Sequence, residues 1–374
     1  MIPLVRRVPR GRQIGTSVLR LDVWLPLVTV LYPGIAVNRL RIRVPSYVAM
    51  CLAMAACGVS DEGTAEQGTA DTPTPFSAAS VAAGDVSAAG DDTSLDASAD
   101  GMDDAAADAF VQAEQRCNGF AELCDRRFDE VVLRGTHNAM ANAADGFIAP
   151  NHNLSIPDQL ALGVRAMLID VYREDDRLLF CHGSCGFGSS DATAQLSGIV
   201  SFLNEHPDDV MAFIFQDGVD AADMATLVQA SGLADMAILP PADGEWPTLR
   251  ELIEAGQRVL LTVESGRTST PVVLPAWDVY FDTPYSFASV QEFSCELNRG
   301  SQDNALFLMN HWVSNPLPDP FFAPEANSYE VLLARAEVCA DEQSRLPNVI
   351  AVDFVDIGDA VEVVEVLNGV RPRR

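Results

Sequence analysis

Two histidines stand where short apolar runs stop, a placement suited to proton transfer. Residues 130–136 (EVVLRGT) form a β-branched stretch ended by Gly135, with His137 and Asn138 next; residues 178–181 (LLFC) end at His182 and Gly183. Between them, residues 166–172 (AMLIDVY) read as a buried strand interrupted by Asp170. A carboxylate in such a strand needs a partner or a metal. In α/β proteins, sites assemble at the carboxyl ends of parallel strands, so His137, Asp170 and His182 form one expected constellation, with the imidazoles as acid and base. A lone histidine after a strand is more often bonded to a loop carbonyl. Here two of only five histidines fall at equivalent strand ends, which favours a functional pair. His152 and His206, in loops flanked by Pro and Asn, read as surface residues, and His311, after the buried run 305–310 (ALFLMN), fits either role.

The elements that must position these groups alternate in kind. Apolar runs recur at 130–135, 166–172, 178–181, 210–216, 259–264, 305–310 and 348–354, with helix signals between them. Ser155-Ile156-Pro157-Asp158 opens one helix, residues 190–204 are amphipathic, and Trp246-Pro247-Thr248 leads into another that Gly256 closes. Alternation of this kind predicts a mostly parallel sheet, and seven or eight buried strands in a domain of this length favour a closed barrel.

That domain is expected over residues 116–374. Residues 1–57 hold eight Arg against one acidic residue and close with VPSYVAMCLAMAAC, the pattern of an export signal. Met54-Ala55-Ala56-Cys57 is similar to a bacterial lipoprotein cleavage site, which makes Cys57 the expected lipidated residue; the true start is expected near residue 37. Residues 58–115 contain thirteen acidic residues and no basic ones, with almost no aromatics, and are expected to be a disordered tether. The barrel then carries thirty-nine acidic residues against sixteen Arg, and the whole chain lacks Lys. A field of that sign repels phosphate backbones, so nucleic acid is excluded as a partner and membrane contact is expected only through the N-terminal lipid anchor. Six cysteines follow Cys57, an even number that suits disulfides in an exported chain. Closeness in the chain favours Cys117–Cys124 and Cys181–Cys185, which leaves Cys295–Cys339; zinc is disfavoured because no paired C-x-x-C knuckles occur. The glycine-rich stretch 183–190 lacks the Lys and Thr of a phosphate loop.

Gly135-Thr136-His137-Asn138, the stretch 159–170 (QLALGVRAMLID), Cys181-His182-Gly183 and residues 348–354 (NVIAVDF) together resemble the X-domain superfamily of phosphatidylinositol-specific phospholipases C. The likeness is strongest to its secreted, cysteine-containing branch, which also has Asp170-Val171-Tyr172 and Glu245-Trp246-Pro247-Thr248. The resemblance implies an irregular (β/α)8 TIM-type barrel that cleaves a phosphodiester through an internal hydroxyl or water, with His137 assisting attack and His182 exchanging a proton with the nucleophile or the leaving oxygen. It also implies calcium, since Asn138 and Asp170 match metal-binding positions of the eukaryotic enzymes. Asp217 is expected to join them, with Gln216 and Asp353 as further candidates. The departures are specific. Leu168 and Gln216 stand where those enzymes carry Glu, and Tyr172 stands where the metal-free bacterial enzymes carry Arg. Arg165 or Arg173 could then meet the phosphate, although Arg165 reads first as a buried structural partner. Two functions follow: an exported phosphodiesterase, at the bacterial cell envelope or outside the cell, or a binding module that keeps the barrel without turnover. Both histidines favour the enzyme, because a binding pocket needs no proton-transfer pair.

Overall fold

The computed structural model describes residues 115–241 and 244–374. The signal region over 1–57 with Cys57, and the tether over 58–115 apart from its last residue, lie outside the described residues. Side chains along the strands alternate in direction with a period of two, yet both faces are covered, so the central strands are buried almost throughout, as expected of parallel strands. The described strands are β1 (Leu133–Thr136), β2 (Ala166–Glu174), β3 (Arg177–Cys181), β4 (Ser189–Asp191), β5 (Met211–Gly218), β6 (Val259–Val263), β7 (Leu274–Pro275), β8 (Tyr280–Asp282), β9 (Leu306–His311) and β10 (Val349–Val352). They form one sheet in the order β7-β6-β5-β2-β1-β10-β9-β8, with every pair in that order parallel. The ends of the order, β7 and β8, do not pair with each other, so the barrel is irregular.

Helices lie between the strands: α1 (Ile156–Ala161), α2 (Ala192–Glu205), α3 (Ala221–Ser231), α4 (Leu249–Glu254), α5 (Ala276–Val279), α6 (Ala323–Ala326), α7 (Tyr329–Gln343) and α8 (Ala360–Leu367). Their starts are written in the sequence. The Ser155 side chain accepts from the Asp158 N–H to open α1, and Thr248 with Glu251 forms a reciprocal capping box at α4. Two apolar clusters follow from the strand period. Leu133, Leu168, Ile214, Leu260, Leu308 and Ala351 fill the barrel, whereas Met167, Phe213, Leu261, Phe307 and Ile350 pack outward with helix residues such as Leu196, Leu227 and Leu332.

One strand differs from expectation. β3 is not a barrel strand: it pairs antiparallel with β2 and with β4. The β2–β3 hairpin rises beyond the barrel and returns, with Val171 opposite Phe180. Carried one step further, that register brings Cys181 back to the level of Asp170, and His182 follows at the barrel mouth. The three cysteine pairs form as expected, Cys117–Cys124, Cys181–Cys185 and Cys295–Cys339.

Candidate active site

At the carboxyl ends of the strands a cleft of about 290 Å³ is bordered by both His137 and His182, together with Asn138, Asp170, Tyr172, Gln216, Glu264, Arg299 and Trp312. A larger cavity, about 460 Å³, lies at the other end of the barrel beside Arg134 and Arg165; neither histidine borders it.

His137 follows β1 directly. Gly135, two residues earlier on the same inward face, has no room for a side chain: a Cβ there would lie 2.8 Å from Val349 Cγ1 and 3.0 Å from the Ile350 carbonyl oxygen. The imidazole is held by a carboxylate and a ring, and the carboxylate is itself fixed. Its Nδ1 donates to Asp353 Oδ1 at 2.9 Å, its ring stacks on Trp312 with centroids 3.7 Å apart, and Asn151 Nδ2 donates to the same Asp353 oxygen at 3.0 Å. Asp353 thus fixes the tautomer that leaves Nε2 as the free nitrogen. His152 braces the backbone beneath, donating from Nε2 to the His137 carbonyl at 2.8 Å. It is fully buried, not the surface residue expected, and burial lowers its pKa to about 4. The loop from Ala139 folds back on itself, the Asn151 and His152 N–H groups both donating to the Ala141 carbonyl, which the Asn-rich sequence had disguised as a surface turn.

On His182, Nε2 accepts from the Asn138 amide at 3.1 Å, so the neutral ring carries its proton on Nδ1. Burial, then the charge of His137, lowers the pKa of His182. Asn138 takes a left-handed backbone (φ 50°), a conformation that Asn tolerates better than most residues. Asp170 is 4 % exposed on the cleft floor, and among the described residues nothing donates a hydrogen bond to it. Burial pushes its carboxyl up to about 7. His311 is resolved as structural: Nε2 donates to the Ala326 carbonyl at 2.7 Å and Nδ1 accepts from Arg335. His206 is exposed, as expected.

The sequence model of the PI-PLC X 1 family matches residues 123–368. The chain belongs to the PI-PLC X family. Among curated relatives, PI-PLC X domain-containing protein 1 of Arthroderma benhamiae is 30% identical over 278 residues, covering 68% of this chain and 89% of that protein. An uncharacterized secreted protein of the same fungus is 26% identical, over 65% of this chain and 61% of its own length. Among solved structures, the phosphatidylinositol-specific phospholipase C of Listeria monocytogenes is similar at 14% identity and a TM-score of 0.47, covering 67% of this chain and 96% of that one.

Within this PI-PLC X barrel the expected metal ligands separate. Gln216 lies opposite Asp170 in the β2–β5 register and faces the cleft. Asp217, one residue on, therefore faces outward, where its Oδ1 accepts from the Ser265 N–H at 3.0 Å and its other oxygen from the Ser265 hydroxyl. That corrects the assignment of Asp217 to the metal set. Asp353 is likewise engaged, by His137 and Asn151. Of the expected set, the donors left on the cleft are the Asp170 carboxylate and the amides of Asn138 and Gln216; the other carboxylate there, Glu264, is paired with Arg299. That is a poor fit to calcium, which takes six to eight oxygens with several carboxylates among them. Among the described residues no cluster of three or more His, Cys, Asp or Glu is placed to hold a metal.

Neither expected arginine reaches the site. Arg165 lies before β2, at the amino end of the barrel, bound to Asp209 at 2.7 Å and to the Leu160 and Val164 carbonyls. Arg173 pairs with Asp223 on the outside. Arg299, on the loop after β8, borders the cleft instead. It stacks over Trp277 at 3.9 Å and Tyr285 at 4.7 Å, and it binds Asp282 and Glu264. Glu264 was also missed, although it follows Leu260 and Thr262 on the inward face of β6; burial raises its pKa.

Proposed function

We propose that this protein is an exported phosphodiesterase of phospholipase C type. The observation that carries the reading is the pair of imidazoles on one cleft, one of them oriented by a buried carboxylate. In-line displacement at phosphorus needs a base beside the attacking oxygen and an acid beside the leaving one. His137 Nε2 takes the proton of the attacking hydroxyl or water, and Asp353 stabilises the imidazolium that results. His182 exchanges a proton with the leaving oxygen across the cleft. The substrate is read as a phosphodiester, with a lipid headgroup as one source of it. Three disulfides and a relative named as secreted support export.

A binding module without turnover is the second reading, and Leu168 and Tyr172 favour it: both border the cleft at positions where the related enzymes carry a carboxylate and an arginine. A generic chromogenic phosphodiester separates the two. Turnover by the wild type that is lost in both His137→Ala and His182→Ala supports the enzyme; equal rates in all three proteins refute it.

A further inference from the structure

The cleft presents an unsolved electrostatic demand. A phosphodiester anion gains charge on its non-bridging oxygens as the nucleophile attacks, and stabilising that charge is usually the largest single contribution to catalysis. Asp170 has no cation beside it, Asp217 faces outward, and Tyr172 occupies the place where an arginine could act. Among the described residues that border the cleft, Arg299 alone carries a permanent positive charge.

Its setting is that of a positioned donor. Asp282, fully buried, accepts from Arg299 Nε at 3.0 Å and from Nη2 at 2.6 Å, and it also accepts from the Arg299 backbone N–H and from Asn310 Nδ2. That fork fixes the guanidinium plane, and the faces of Trp277 and Tyr285 hold it there. The third contact is different. Glu264 accepts from Nη1 at 3.0 Å, yet its side chain is 21% exposed and no other hydrogen bond holds it. Of the five guanidinium N–H groups, these contacts use three. The remaining two, with the one on Glu264, make a charged edge that a phosphate could take from Glu264 without disturbing the Asp282 fork.

We propose that Arg299 is the cation that binds the non-bridging oxygens of the phosphodiester, in competition with Glu264. This rests on the phosphodiesterase reading for its substrate, but it can be tested on binding alone. Inorganic phosphate is the probe, titrated by calorimetry in the presence of chelator against wild type, Glu264→Gln and Arg299→Lys. Glu264→Gln leaves the Asp282 fork intact and removes the competing charge, so phosphate should bind severalfold tighter; Arg299→Lys loses the two-pronged geometry and should bind about tenfold weaker, one charge-assisted hydrogen bond. If Arg299→Lys does not fold, the Glu264→Gln result decides. Equal affinity in wild type and Glu264→Gln, no phosphate binding by wild type, or binding abolished by chelator would each overturn the proposal. Arg299-dependent phosphate binding without turnover of the chromogenic diester would uphold it while the phosphodiesterase reading fails.

Discussion

Replacing Asp170 by Asn should stabilise the protein above neutral pH and leave it unchanged in acid below the ordinary carboxylate range. The carboxyl is 4 % exposed, unbonded, and pushed by burial from the ordinary 3.8 up to about 7. Between those two values the folded protein holds a proton that the unfolded chain has lost. Stability therefore falls as pH rises from about 4 to about 7 and is level beyond it. At 1.36 kcal/mol for each tenfold step, the full fall is about 4 kcal/mol, with roughly 2 kcal/mol a fair lower figure if water relaxes around the charge. Asn keeps the shape and cannot ionise, so its stability curve should lack this fall. Urea unfolding with the disulfides intact, at about pH 3 and about pH 8, measures it: no difference between the two proteins in acid, below both carboxyl values, and about 2 to 4 kcal/mol in favour of the variant in base. Parallel curves would refute the argument. So would a variant less stable at about pH 8, which would mean that Asp170 has a partner in solution; a calcium-induced rise in stability of wild type but not of Asp170→Asn would identify that partner as the cation.

The other expectations are briefer. His137→Ala and His182→Ala should each lower kcat by about 10²–10⁴-fold with little change in thermal stability, measured by turnover and melting on the same samples. The pKa that His182 contributes to the pH dependence of kcat/KM should lie below the ordinary 6.5, because burial and the charge of His137 disfavour its protonated form; a limb above 6.5 that vanishes in His182→Ala would contradict this. Cys185→Ser should lower activity more than stability, since the Cys181–Cys185 bridge spans only four residues and so constrains the unfolded chain little while pinning the turn that carries His182; melting and turnover compared side by side decide it. Gly135→Ala should cost about 1–3 kcal/mol in denaturant unfolding, because its Cβ would meet Val349 and the Ile350 carbonyl across the β1–β10 pair.

The barrel and the histidine pair were legible because both rest on local signals. Apolar runs of strand length alternated with capped helices, and the runs at 166–172, 210–216, 259–264 and 305–310 coincide closely with β2, β5, β6 and β9. Short or polar strands escaped that reading: β8 spans only Tyr280–Asp282, and β7 only two residues. The antiparallel β3 was taken for a barrel strand because a run of four apolar residues says nothing about its partner's direction. His182 still arrives at the site, since a hairpin rising beyond Asp170 returns its end to the same level.

The metal set was misread by one residue, and the period of a strand explains how. If Asp170 faces the interior with Leu168 and Ala166, its neighbour in register on β5 faces the interior too, and that neighbour is Gln216 with Ile214 and Ala212 behind it. Choosing Asp217 for its charge meant choosing the opposite face. The same alternation places Glu264 after Leu260 and Thr262, and Trp312 after Leu308 and Asn310, on the inward face from the sequence alone. Arg299 had no such signal. It sits on a loop where no period applies, and its place on the cleft comes from the buried Asp282, which draws in Nε, Nη2 and the backbone N–H together. The inward-facing acid at the end of β8 was visible in the sequence, and a carboxylate buried there stays ionised only with donors or a cation beside it. Which arginine would supply it depended on how the loop of residues 283–305 closes, a long-range fact that one sequence without its fold does not contain.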